Sequence, residues 1–134
     1  MRRIFPILLA VFMFSCSARK TQVAHPKTVM ISSKGSTGTN EFQLRIKEII
    51  SDSRCPADVT CVWGGEVQLV VSVYKDKKLA EAMPLTIRSI LLKENAAWFS
   101  KYAPGTIKRI VVLPDYRQDD KRELKDYKIE IQYD

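Results

Sequence analysis

Tyr127-Lys-Ile-Glu-Ile-Gln-Tyr133 puts an apolar side chain at every second position and a polar one between. That period of two is the signature of a strand with one buried and one solvated face. Working back along the chain, the same pattern recurs. Val67, Leu69, Val71 and Val73 alternate with Glu66, Gln68, Val70 and Ser72, and Phe42, Leu44 and Ile46 alternate with Gln43, Arg45 and Lys47. Residues 107–113 are apolar on both faces apart from Lys108 and Arg109, which predicts a central strand. Residues 79–87 also alternate, but Pro84 cannot donate to a ladder and assigns them to an edge or a bulged strand. Residues 92–102 favour one short helix, with Trp98 and Phe99 on its apolar side and Pro104-Gly105 ending it. No βαβ period occurs. The expected fold is therefore mainly β, a single antiparallel sandwich or barrel-like domain with at most one short helix near 92–102.

The chain has 134 residues, 46% of them hydrophobic, and a formal net charge of +7. Such a charge suggests nucleic acid until it is divided by segment. Residues 1–40 carry six Lys or Arg and no acid, whereas residues 41–134 carry 16 basic and 15 acidic side chains. A nearly neutral folded part lacks the concentrated basic face that nucleic-acid affinity requires, so no nucleic-acid partner is expected. The single His25 and three Cys are too few for most catalytic triads and metal centres, so neither an enzyme nor a cofactor or metal is expected.

The N-terminus reads as an address. Met1-Arg2-Arg3 precedes eleven consecutive apolar residues, 4–14, too short for a bilayer-spanning helix but suited to the h-region of a secretory signal. Ser15-Cys16 at its end resembles the lipobox of bacterial lipoproteins, although Met13 and Phe14 stand where Leu and a small residue are usual. The resemblance implies that residues 1–15 are removed and Cys16 is acylated. It implies a lipid-anchored protein of the bacterial cell envelope. By resemblance to the sorting rules of such lipoproteins, Ser17 after the lipid site implies the outer membrane, and the absence of an acidic cluster its periplasmic face. Residues 16–40, rich in Ser, Thr, Gly and Lys, read as a lipidated flexible tether. Within it, Val29-Met-Ile31 is either a first edge strand or linker. The β domain is expected at 41–134.

One stretch is sharper than the rest: Ser51-Asp-Ser-Arg-Cys-Pro-Ala-Asp-Val-Thr-Cys-Val-Trp-Gly-Gly-Glu66. Zinc would need two further ligands, and a thioredoxin-like pair would want Cys-x-x-Cys at a strand-to-helix turn. A structural Cys55–Cys61 disulfide fits the spacing and an exported chain better, with a redox pair and a metal site as the weaker readings. Trp63 is expected to be buried beside the disulfide, a ligand-stacking Trp being the alternative, with Gly64-Gly65 bending the chain into the next strand. Asp52 is expected to accept turn hydrogen bonds while Arg54 braces the loop, an exposed recognition pair being the alternative. Asp52, Asp58 and Glu66 also raise a cation site.

Residues 52–65 resemble a family of small exported bacterial proteins, many of them lipoproteins. Its members carry Asp-Ser-Arg-Cys-Pro-x-x-Val-x-Cys-x-Trp-x-Gly, here Asp52 to Gly65 with Pro56 and Trp63 in place. Many members have Ala where Gly64 stands. The similarity extends into the flanking strands and the chain end, and it implies an address and a fold without an activity. The expected function is a membrane-anchored, non-catalytic binding or structural module. Its expected partners are membrane lipid through Cys16 and an envelope protein or glycan. An inhibitor-like module presenting the 55–61 loop and an exported thiol/disulfide redox factor are the alternatives.

Overall fold

The computed structural model describes residues 27–37, 41–103, 105–119 and 121–134. The apolar stretch 4–14, Cys16, Ser17, Arg19, Lys20, His25 and Pro104 lie outside them. Among the described residues, six strands form two three-stranded antiparallel sheets with no closed barrel. The strands are β1 (Lys27–Ser32), β2 (Phe42–Asp52), β3 (Val67–Lys75), β4 (Lys78–Ile87), β5 (Ile107–Leu113) and β6 (Lys128–Tyr133). One sheet has the order β1-β6-β5 and the other β2-β3-β4. One helix, α1 (Leu92–Phe99), follows a single 3-10 turn after β4. No described helix is long and apolar enough to cross a membrane.

The period-two reading holds for both central strands. Val67, Leu69, Val71 and Val73 of β3, and Ile129 and Ile131 of β6, are at most 1% exposed and face each other across the core. Leu44 and Ile46 of β2 join them. Burying side chains of this size stabilises by about 1.5–3 kcal/mol each before chain entropy is counted. In α1, Trp98 and Phe99 form the buried side as expected, their rings edge to face at 4.9 Å. The Trp98 indole and the Tyr102 hydroxyl both donate to Glu81 of β4, seating the helix on that strand. Those hydrogen bonds lower the Glu81 carboxyl; burial and the neighbouring carboxylate push Tyr102 up to about 12.

Two expectations change. Residues 27–32 are not tether: β1 pairs with β6 along its length, with Val29 and Ile31 buried in the core. The folded domain therefore includes residues before Glu41. Strand β5 is an edge and not a centre, because the strand paired on both sides is β6. Its apolar character comes from Ile107 and Ile110 packing on the core and from contact with α1, not from a second neighbouring strand. Pro84 does lie in an edge strand, β4, which also carries a register shift opposite Val73 and Tyr74.

Residues 53–66 connect β2 to β3 at one end of the two sheets. Asp52 pairs with Val67 at the end of β2, and Tyr127, which bonds it, precedes the Lys128–Ser32 pair at the end of β1 away from Lys27.

Candidate functional site

Asp52 ends β2 and is almost wholly enclosed, its side chain 6% exposed. An enclosed carboxylate must be paired and hydrogen-bonded to be tolerated, and Arg54 supplies most of this. Arg54 Nε donates to Asp52 Oδ1 at 2.9 Å and Nη2 to Oδ2 at 2.7 Å, a bidentate fork. The Arg54 backbone N–H also donates to Oδ1, at 3.3 Å, forming the Asx turn. The Tyr127 hydroxyl, just before β6, donates to Oδ2 at 3.1 Å. Arg54 Nη1 reaches the Val112 carbonyl of β5 at 2.6 Å. One ion pair thus ties the end of β2 to both β5 and the start of β6 in the other sheet. Burial alone would raise the Asp52 carboxyl. The hydrogen bonds and charge of Arg54, with the Tyr127 hydroxyl, outweigh it and hold the group below its ordinary value. Tyr127 moves the other way, pushed up by burial and by the Asp52 charge. The bracing role expected for Asp52 and Arg54 is the observed one.

Cys55 and Cys61 are bonded, with Cα atoms 5.9 Å apart, which is ordinary disulfide spacing. Pro56 sits within the closed loop, and its carbonyl accepts from the Val59 N–H. The Ala57 N–H donates to the Tyr116 carbonyl, a second tie to the segment after β5. At the return of the loop, Gly65 has φ +67° and lies directly against the backbone of Ser53 and Arg54. A Cβ there would come within 2.0 Å of the Ser53 carbonyl oxygen, so only glycine allows this approach. Gly64 has open space where a Cβ would stand.

Trp63 is not buried beside the disulfide. It is 71% exposed, and its neighbour Val62 is 97% exposed. The reason is the path of the chain. Gly65 brings the backbone tight against Ser53 and Arg54, and the preceding Val62-Trp63 pair is left projecting from the loop. Val59, on the same loop, and Ile90, just after β4, are also exposed. The loop therefore has a buried ionic base and an apolar tip. The cation set raised from the sequence is not assembled. Asp52 is held by Arg54, and Glu66 by Arg88 at 3.2 Å and by the Gln68 amide at 2.7 Å. Among the described residues no three His, Cys, Asp or Glu groups converge as metal ligands.

Two adjoining clefts flank the loop. One, of about 420 Å³, lies between β5 and the start of α1, with Arg54, Arg88, Leu92, Asn95, Arg109 and Ile110 in its walls. The other, of about 340 Å³, is bounded by Trp63, Glu66, Arg88 and Ile90. Gly64, Gly65 and Arg88 line both. Reasoning from sequence missed Val112, Tyr127, Arg88, Asn95 and Arg109 as neighbours of the loop. The alternation marked Tyr127 only as a core residue, and nothing local marks Arg88 or Arg109. No protein-family model, curated protein or solved structure matches the chain.

Proposed function

We propose that the protein is a membrane-anchored lipoprotein of the bacterial cell envelope, outer membrane and periplasmic face, and that its β domain is a non-catalytic binding module. The contact surface in this reading is the tip of the disulfide loop, Val59, Val62 and Trp63, with Ile90 beside it. The observation that carries it is the exposure of Trp63 and Val62 on a loop whose base is locked by Asp52, Arg54, the disulfide and Gly65. A large aromatic left in water contributes nothing to the core. It is also the residue type that anchors interfaces at low entropic cost.

The anchor rests on Ser15-Cys16 and the apolar stretch before it. One acyl chain binds a bilayer only marginally, so the two or three chains of an acylated N-terminal Cys supply durable attachment. The ends of the sheets suit this arrangement. The described chain begins at Lys27, at one end of β1, and the base of the loop meets the start of β6, which pairs with the other end of β1, roughly 20 Å along the strand. A domain carried on a flexible N-terminal tether leaves the Trp63 tip free to reach a partner.

The exposure of Val59 on a stapled loop also favours a second reading, an inhibitor of an exported hydrolase that presents residues 55–61. Photocrosslinking from position 62 in the full chain, in its native envelope, tests both. A discrete adduct from position 62 and none from the exposed Lys47 is expected, and the identity of the adduct separates envelope partner from hydrolase. No adduct from position 62, or equal labelling from Lys47, would contradict a loop-tip contact. Labelling with a palmitate analogue tests the anchor: the wild-type chain should label and Cys16→Ser should not.

A further inference from the structure

The two clefts beside the loop carry polar groups of both senses and little uncompensated charge. Arg54 is paired with Asp52, Arg88 Nη1 stands 3.2 Å from Glu66 Oε2, and Arg109 and Asp115 line the larger cleft with opposite signs. Such walls give a charged peptide little to select. They suit a ligand whose own polar groups both donate and accept, which is the chemistry of a hydroxyl. Asn95 is the most enclosed polar side chain of the larger cleft, 6% exposed. Its Nδ2 donates to the Thr86 carbonyl at 3.0 Å, which fixes the amide plane. Its Oδ1 receives no hydrogen bond among the described residues, and an enclosed acceptor of this kind calls for a donor from water or a ligand. Ile87 and Leu92 line the same cleft. Trp63 and Ile90, 71% and 74% exposed, bound the smaller one.

We propose that the two clefts form one groove that binds a neutral, N-acetylated oligosaccharide, the repeating unit of a glycan strand. This rests on the binding-module reading, with Trp63 as a contact, and names the partner's chemistry. An acetamido group carries an N–H for Asn95 Oδ1 and a methyl for the apolar side chains of Ile87 and Leu92. A neighbouring ring lies against Trp63, because the C–H face of a pyranose packs on an aromatic face and leaves its rim hydroxyls for Glu66 and Arg88. Gly64 and Gly65 border both clefts and carry no side chain to divide them. At about 420 and 340 Å³, each cleft falls in the range of small-ligand sites, about 300–1,000 Å³.

The test uses the full chain in micelles of a sugar-free detergent and the β-1,4-linked tetramer of N-acetylglucosamine, followed by calorimetry and NMR. Saturable binding is expected, with shifts of the Asn95 side-chain amide signals in the wild-type chain. The glucose tetramer of the same linkage, with a hydroxyl in place of each acetamido group, should bind about tenfold more weakly or worse. Trp63→Ala removes an exposed side chain and leaves the fold in place, and it should weaken binding about tenfold or more. No saturable binding, equal binding of the glucose tetramer, or full affinity in Trp63→Ala would overturn the groove. Binding that leaves the Asn95 signals unmoved would overturn it as well. Because the loop-tip contact is read by adducts from position 62, those adducts without saccharide binding reject this proposal and leave that reading standing.

Discussion

The base and the tip of the 52–66 loop obey opposite rules within a dozen residues. At the base, a carboxylate and a guanidinium are enclosed and satisfied by each other, by Tyr127 and by the Val112 carbonyl. At the tip, a tryptophan and two valines lie open to water. Polar groups inside and apolar groups outside reverse the usual partition. A reversal of this kind in a stapled loop separates what holds the loop from what the loop displays. Substitutions at the base should cost stability, and those at the tip should leave it nearly unchanged.

The neighbouring glycines give the sharpest contrast. Gly65→Ala puts a methyl group against the Ser53 carbonyl at a positive φ, and should cost about 4 kcal/mol or prevent folding. Gly64→Ala meets nothing and should change stability by less than about 1 kcal/mol. Denaturant melts of the two variants check this, and equal losses would contradict the packing described for Gly65. Next in size is Arg54→Met, which leaves Asp52 enclosed without its partner. A loss of about 3–5 kcal/mol is expected in the same melts, far above what a surface ion pair would show. Replacing both Cys55 and Cys61 by Ser should cost about 2.4 kcal/mol, the chain-entropy value for a seven-residue loop.

Within the loop, acid should act on the base and not on the tip; Glu81, also held low by Tyr102 and Trp98, adds a component that does not depend on Arg54. The Asp52 carboxyl is held below its ordinary value of 3.8, so its contribution is present above that pH and is lost as pH falls through the lower folded value. Melts between pH 6 and 2 should therefore show stability falling in acid. In Arg54→Met the enclosed carboxyl loses the charge that lowers it, so this component should shrink or reverse sign. An unchanged acid profile in that variant would show that Arg54 does not set it.

The strands were legible because one buried face imposes period two, and Val67–Val73 and Tyr127–Tyr133 carry it cleanly. The β1 strand was only half legible: Val29-Met-Ile31 is short and sits among Ser, Thr and Lys, and its burial depends on pairing with β6 at the far end of the chain. The same distance hid the base of the site. Arg54 and Val112 are 58 residues apart, and Asp52 and Tyr127 are 75 apart, so local sequence shows an Asx turn but not the tie between sheets. Trp63 misled for a different reason. A tryptophan next to a disulfide usually packs on it, and Gly64-Gly65 permits either an inward or an outward path. Only the close approach of Gly65 to Ser53 selects the outward one.

The environment of Trp63 decides between a tip displayed to water and a tip packed on the disulfide. In the Trp98→Phe variant, Trp63 is the single tryptophan of the chain, and its emission and iodide quenching report its environment alone. With the disulfide intact, the emission should be that of a water-exposed indole and iodide should quench it almost completely. Replacing Trp63 itself by Ala should move stability by no more than about 0.5 kcal/mol. Blue-shifted emission shielded from iodide in the isolated protein would contradict the open tip, and with it the division of the loop into a base that holds and a tip that displays.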